Sequence, residues 1–396
     1  MTKSRWEQYK EKNGVTPLDA LNPKTKKASK ELSENRYNIC LVCPELINLT
    51  KQCKQCGCIM SVKTKIQNAA CPLKKWEEVN RLDAQNSATI FINMPSYKDP
   101  EIWDTVDHFI SNAKFPERVY FGITVQDNDI EFNISEALKR KNVLIDSLKP
   151  GTIIGCQPAR KNSHKFYNKQ DYYLNMDSHM RAVQNWDTLI IKDFEDLELK
   201  KGKSVMTGYV NSYDVDKDGR SILNKETPWI FYMSEQNVLT FKNNGILQMC
   251  PKHSDHVEPV LSPYISGHFF FARGKYVERV KFVEEITFIE EELFMAVRFF
   301  TAGYNIYIPS NTYVFHRYGR PNRELIWDDF PEKFYPASEA SKNFSINVLE
   351  NNIIDEEKGL FSERTLEEFE TYASITFKTR ELGTNIINGN EPSYIK

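Results

Sequence analysis

Apolar positions along this chain follow two periods, one of strands and one of helices. Residues 88–93 (ATIFIN) form a β-rich run that stops at Met94-Pro95-Ser96, predicting a strand that gives way to a loop. Residues 99–113 (DPEIWDTVDHFISNA) set Ile102, Val106, Phe109 and Ile110 at helical spacing, with Pro100 and acidic residues in the first turn. Residues 118–125 (RVYFGITV) read as a second strand. This strand-loop-helix-strand order predicts an α/β fold with a parallel sheet, whose ligand sits beyond the carboxyl ends of the strands. A dinucleotide fold would carry a Gly-x-Gly-x-x-Gly turn there, and the chain has none. Further on, YYLNM (172–176), GHFFFAR (267–273) and GYNIYIP (303–309) read as strands. Residues 287–300 read as an acidic loop feeding a helix, with Phe294, Val297 and Arg298 on one face.

With 396 residues the chain has room for two or three domains. Its 6 Trp, 19 Tyr and 24 Phe can fill a sizeable core, which excludes global disorder. The net charge of −2 hides an uneven distribution: residues 1–80 carry 15 Lys and Arg against 8 Asp and Glu, residues 331–396 carry 7 against 12. A basic front suits an anionic partner or is a solvated face. No run reaches the roughly 18 apolar residues that span a bilayer. The first residues lack the apolar stretch of a secretory signal, so no membrane partner and a cytoplasmic location are expected. The organisation expected is a basic arm (1–37), a Cys-rich module (38–80), a central α/β domain (85–325) and a C-terminal extension (326–396).

Six of the eight cysteines crowd into residues 40–71. Cys40 and Cys43 form one Cys-x2-Cys pair, Cys53 and Cys56 a second, and Cys58 and Cys71 follow. In a reducing compartment this spacing predicts structural Zn2+ held by four thiolates, with Gly57 easing the turn after Cys56. Which four of the six bind is open. Lys51, Lys54, Lys63, Lys65, Lys74 and Lys75 give the module a basic surface. Cys156 and Cys250 stand alone and read as core residues.

The stretch DYYLNMDSHMR (171–181) brings Asp177 and His179 to the end of a strand, two residues apart. Alternate positions of an extended segment point the same way, so both can reach one divalent cation. Such a cation neutralises a diphosphate and stabilises it as a leaving group. Alone, Asp-x-His is a weak motif. It is followed in order by GHFFFARG (267–274), FIEEELFMAVRFFTAGYNIYIP (288–309) and FHRY (315–318), and preceded by IFINMPSYKDPE (90–101), YFGITVQ (120–126) and Ala159-Arg160.

In these segments, spread over residues 88–320, the chain resembles the family-60 glycosyltransferases, which include the polypeptide-hydroxyproline N-acetylglucosaminyltransferases. The Cys-rich leader resembles modules of phage-encoded proteins. The resemblance implies a GT-A fold, a Rossmann-like nucleotide-sugar-binding α/β domain, here preceded by a small zinc-binding module. It implies catalytic Mn2+ or Mg2+ held by Asp177 and His179, with His316 as a late metal-side histidine. It also implies that Ser96, Tyr97, Lys98 and Asp99 line the nucleotide, that Arg160 faces the donor together with Asp177, and that Glu291 and Glu292 act beside the acceptor. Lys98 stands where the family shows Arg, losing a bidentate fork. Glu290 replaces the family's Gly before the acidic pair, and an Asp-Pro after the strand is missing.

The function expected is metal-dependent transfer of a sugar, with retention, from a nucleotide sugar to a hydroxyl of a macromolecule. A hydroxymethylated DNA base is slightly favoured as acceptor because of the basic front. A protein side-chain hydroxyl is the alternative, and a non-catalytic nucleic-acid- or sugar-binding protein a second one. The segment Asp216-Lys-Asp218-Gly219 reads as a turn rather than a calcium loop.

Overall fold

The computed structural model describes residues 9–10, 13–16, 19, 22, 25, 27–28, 30–73, 75–76, 87–320 and 323–393. About half of the expected basic arm, and Lys74, lie outside the described residues. The chain divides into two compact units, Met1–Ser87 and Ala88–Lys396.

The first unit joins a helix, Lys30–Leu41, to a two-residue ribbon, Leu46–Ile47 with Gln52–Cys53. Its small core holds Val15, Leu46, Met60, Ile66, Ala69 and Trp76 beside Cys40 and Cys56. Gly57 sits at φ +67 with open space around it, as the tight turn requires. Cys40, Cys43, Cys53, Cys56 and Cys71 ring a cavity of about 20 Å³. Their sulfurs do not converge: among the described residues, the group of three or more ligand atoms within 4.8 Å of one another contains no cysteine. Some of the cysteine sulfurs in the unit are drawn to local donors instead. Trp76 Nε1 reaches Cys40 Sγ at 3.1 Å and Lys75 Nζ reaches Cys43 Sγ at 3.2 Å. Cys58 turns its sulfur to the Tyr9 hydroxyl, 2.7 Å away.

The second unit is a mixed α/β structure around an eight-stranded sheet. Its strands are β1 (Ile90–Tyr97), β2 (Val119–Gln126), β3 (Val143–Leu148), β4 (Tyr172–Met176), β5 (Ser204–Thr207), β6 (Val260–Leu261), β7 (Phe269–Arg273) and β8 (Asn305–Ile308). Their spatial order is β6-β8-β5-β7-β4-β1-β2-β3. The four strands β4-β1-β2-β3 run parallel, as do β5 and β8. β7 is antiparallel to both β4 and β5. Parallel strands covered on both faces read as continuous apolar runs, and β1 is buried almost end to end.

Alternation along β7 serves both faces: Phe269 and Phe271 join the core of Ile90, Ile92 and Leu174, while Phe270 and Ala272 join that of Phe91 and Tyr173. The helices that matter to the site are α1 (Ile102–Asn112), α2 (Cys156–His164), α3 (Trp186–Lys201), α4 (Glu291–Thr301) and α5 (Pro331–Glu350). Trp103, Val106 and Phe109 form the buried face of α1. Gly122 lets α2 lie close on β2, because a Cβ there would meet the Phe91 ring at 2.4 Å and Ser163 O at 2.8 Å.

One sequence expectation is corrected here. β1 does not end at Asn93 but runs through Pro95 to Tyr97. β4 pairs with it only as far as Asn93, so Pro95 has β2 on one side and no strand on the other. A proline without a donor N–H is tolerated on such an edge. The segment after residue 325 lies within the second unit. Helix α5 touches the loop before α4, where Ser341 Oγ accepts from Thr287 N at 2.9 Å and donates to Glu290 Oε2 at 2.8 Å. The turn read at Asp216 closes the hairpin Tyr213–Val215 with Ser221–Leu223. Asp216 Oδ1 accepts there from the backbone of Asp218 and Arg220.

Candidate active site

β4 ends at Met176, and the chain bends through Asp177 and Ser178 to His179. A short ribbon then pairs Met180–Ala182 with Val314–His316, setting His316 opposite Met180. That pairing joins histidines 137 residues apart: their Nε2 atoms face each other at 2.9 Å. Asp177 Oδ2 lies 3.7 Å from His179 Nε2 and 3.5 Å from His316 Nε2. One atom from each of the three residues therefore falls within 4.8 Å of the other two.

Asp99 fixes the orientation of His179. Its Oδ2 meets His179 Nδ1 at 2.7 Å, Ser178 Oγ at 2.7 Å and Arg320 Nη1 at 2.8 Å. A proton on Nδ1 toward Asp99 leaves the Nε2 lone pair directed at the cluster, the arrangement that carboxylates impose on metal-binding imidazoles. Burial opposes ionisation of Asp99, but His179, Arg320 and Ser178 together hold it well below the usual carboxylate range. Burial likewise works against charge on Asp177, and is outweighed by the hydrogen bond with His316 and the charge of Arg160, so Asp177 stays ionised. Burial pushes His316 down to about 4, which keeps its imidazole neutral. One carboxylate oxygen and two imidazole nitrogens form a mixed oxygen and nitrogen set suited to a divalent cation.

Arg160, only 2% exposed, rises from α2 beneath this cluster. Its Nη2 pairs with Asp177 Oδ1 and its Nε with Glu291 Oε1, both at 2.8 Å. Its Nη1 reaches Asn175 Oδ1 at 3.1 Å and Met176 O at 3.0 Å. The guanidinium thus ties two carboxylates together.

Glu291 and Glu292, neighbours in the first turn of α4, point to different surroundings. Glu291 faces Arg160 and accepts from Cys156 Sγ at 2.6 Å. Burial raises its pKa against the opposing charge of Arg160. Glu292 accepts from Tyr209 and Tyr264 hydroxyls at 2.9 and 2.8 Å, and from Gly267 N at 2.8 Å. Burial pushes it up to about 7.

A cleft of about 290 Å³ opens over the cluster. Ser96, Tyr97, Lys98 and Asp99 all line it, as do Asp177, His179 and His316. Lys98 adopts φ +43 and binds Glu324 at 2.5 Å and Asp329 at 2.6 Å; Tyr97 donates to the same Asp329 carboxylate at 2.6 Å. Among the described residues, three buried polar atoms of residues that line the cleft have no hydrogen-bond partner: Ser96 Oγ, His316 Nδ1 and Arg320 Nε.

Several of these residues escaped the sequence reading. Cys156, read as ordinary core, lines the cleft and meets Glu291. His268 was passed over inside an apolar strand although it lines the cleft beside His316. Arg320 and Arg323 also line it, and the two arginines just after FHRY were the signal available. Cys250 lies away from the cluster, its sulfur near Asn237 Nδ2 at 3.6 Å.

The sequence profile of the glycosyltransferase (GlcNAc) family matches residues 89–133 and 127–379. The chain belongs to this family. The match spans the whole sheet from β1 to β8 and every residue of the Asp177, His179 and His316 cluster. Among solved structures, the glycosyltransferase (GlcNAc) chain is similar to TarS 1-349 of S. aureus, at 13% identity over 65% of each chain and a TM-score of 0.38. The same values of identity and TM-score hold for TarS 1-349 in complex with UDP-GlcNAc, with 66% of that chain covered. A longer TarS structure aligns at 12% identity and a TM-score of 0.39, over 68% of this chain and 41% of that one. The chain thus spans about 65% of the length of the first of these structures. No curated protein matches it. Among the described residues, no helix is long and apolar enough to cross a membrane.

Proposed function

We propose that the second unit is a metal-dependent GT-A glycosyltransferase, which uses a nucleotide sugar to modify a hydroxyl of a macromolecular acceptor. The observation that carries this reading is the convergence of Asp177, His179 and His316 on one point at the cleft, within a glycosyltransferase family member. The unpartnered Ser96 Oγ and Arg320 Nε beside that point are atoms that a polar ligand would satisfy. Mn2+ or Mg2+ at the cluster would supply charge neutralisation to a departing diphosphate.

The chain's own residues do the rest. Arg160 holds Asp177 ionised and aimed at the cluster, and Asp99 holds His179 in one tautomer. Tyr97 and Lys98, tethered to the segment at 324–329, close the side of the cleft where a nucleotide would lie. The acceptor oxygen bonds to the anomeric carbon as the bond from that carbon to the diphosphate oxygen breaks. With retention, the acceptor proton passes to the departing diphosphate. Glu291 is paired with Arg160 and Cys156, which suits it to positioning and to stabilising positive charge on the sugar ring rather than to proton abstraction.

The basic first unit favours a hydroxymethylated DNA base over a protein hydroxyl as acceptor. The phage-type kinship with family 60 belongs to the same reading. For the first unit we propose structural Zn2+ in the space that Cys40, Cys43, Cys53, Cys56 and Cys71 surround, reached by rotation of the thiols away from Trp76 and Lys75. The test of the function is a panel of nucleotide sugars, N-acetylglucosamine first, offered with hydroxymethylated DNA and with hydroxyl-bearing peptides. Transfer to DNA that weakens as salt rises is expected. Transfer to peptides alone would move the acceptor to protein, and no transfer with tight sugar binding would make the chain a binding protein.

A further inference from the structure

β7 runs antiparallel to β4, so its first residue, Phe269, pairs with Met176. His268 therefore enters the sheet at the level where β4 gives out onto Asp177. The peptide just before it is clamped from both sides: Gly267 N donates to Glu292 Oε1 and Gly267 O accepts from Asn175 Nδ2, each at 2.8 Å. The imidazole is stacked on Tyr209, with centroids 5.2 Å apart and planes 18° from parallel, and it also neighbours the rings of His316 at 4.5 Å and Tyr318 at 5.7 Å. It is 9% exposed, and that exposure belongs to the cleft.

The ring's hydrogen bonds fix its tautomer. The backbone N–H of Val210 can only donate, and it donates to His268 Nε2 at 3.4 Å, whereas the Tyr318 hydroxyl, 3.3 Å from the same nitrogen, gives its proton to Val210 O at 2.8 Å. Nε2 is therefore the acceptor, and the proton of the neutral ring sits on Nδ1. Among the described residues, no hydrogen bond takes that Nδ1 proton. A neutral N–H held rigidly by ring stacking on a cleft wall is a recognition element for an oxygen of the ligand.

The neighbouring cluster says which part of the ligand passes by. If Asp177, His179 and His316 engage the diphosphate, the sugar is one bond away from it. Its ring must then lie beside His316, against the next residue along the wall. We propose that His268 is a donor-sugar recognition residue, its Nδ1–H hydrogen-bonded to a hydroxyl or acetamido oxygen of the transferred hexose. The inference rests on the nucleotide-sugar reading above. It also accounts for Glu292: accepting from three protein donors, this carboxylate positions Gly267 and Tyr209, and through them His268, rather than touching the sugar.

Two variants of the full chain separate recognition from shape. His268→Phe keeps a ring to stack on Tyr209 but has no N–H. His268→Asn is smaller, yet places an amide N–H where Nδ1 stands. With Mn2+ present, UDP affinity and kcat/KM for UDP-N-acetylglucosamine, or for whichever donor the wild type turns over, are measured side by side. The expected result is UDP affinity within about twofold of wild type in both variants. Sugar-donor kcat/KM should fall roughly 10- to 100-fold in His268→Phe, and recover most of that loss in His268→Asn. Equal loss of UDP and sugar-donor affinity in His268→Phe would show that the ring only shapes the site and would overturn the inference. So would wild-type kcat/KM in His268→Phe, or an Asn variant no better than Phe. A wild type that turns over no nucleotide sugar at all overturns the underlying reading instead, and does so before any variant is made.

Discussion

Asp99 shows how much of this site depends on a residue outside the ligand cluster. Its Oδ2 is shared among His179, Ser178 and Arg320, while the residue also lines the cleft in which its place in the SYKD loop had suggested a nucleotide contact. Its work is to orient His179. Asp99→Asn should therefore weaken Mn2+ binding by about 10- to 100-fold, as loss of such supporting partners does elsewhere. Electron paramagnetic titration of Mn2+ reads this directly, and unchanged affinity would remove Asp99 from the metal site. Arg160 carries a different risk. Arg160→Met leaves Asp177 and Glu291 buried without their shared cation, and a loss of about 3–5 kcal/mol in urea denaturation is expected. A loss under about 1 kcal/mol would mean that the pairs are solvated and weak.

Glu292 gives a pH signature at the same scale. Its folded pKa of about 7 lies above the unfolded value, so its stabilising contribution is complete in acid and is lost as pH rises through 7. Wild type measured against Glu292→Gln should lose roughly 2–3 kcal/mol of relative stability between pH 4.5 and 8. A flat difference across that range would show the carboxylate titrating normally.

At the scale of elements, the strands were legible because each is buried and apolar for most of its length. FFFA in β7 and IFI in β1 could hardly be anything else. The end of β1 was misjudged because Pro95 is punctuation in a loop but acceptable in a strand with one free edge, and a partner's departure point is a tertiary fact. The site was half legible. Asp177 and His179 sit two residues apart and announce themselves; His316 reaches them through a three-residue ribbon that no local pattern predicts. Only resemblance to a family pointed to it. His268 was hidden for the opposite reason, since a lone histidine beside three phenylalanines reads as core. Packing of α2 on β2 gives a test independent of chemistry. Gly122→Ala forces a methyl against Phe91 and the Ser163 carbonyl, and should cost about 1–3 kcal/mol. A neutral result in thermal melts would mean that α2 can lift off the sheet freely.

Over the whole molecule, two units divide the labour proposed for them. The charge that suits DNA lies in residues 1–80, while the cluster and cleft lie wholly in the second unit. The cysteine spacing was legible as a pattern, but its geometry was not, because Trp76, Lys75 and Tyr9 compete for the sulfurs. A chain beginning at Ala88 should fold and turn over donor at a rate within about threefold of the full chain, since it keeps its own core. It should also contain no zinc. If the shortened chain melts earlier by more than about 10 °C, the two units share stability and this division fails.

The central claim is that Asp177, His179 and His316 hold the cation on which nucleotide-sugar turnover depends. Nucleotide release from a panel of sugar donors should be followed for the full chain with Mn2+, after chelation, and for Asp177→Ala. The account predicts turnover of at least one donor, its loss on chelation, its return with Mn2+, and its absence in a folded Asp177→Ala protein. Turnover that survives chelation, or an Asp177→Ala variant as active as wild type, would contradict it.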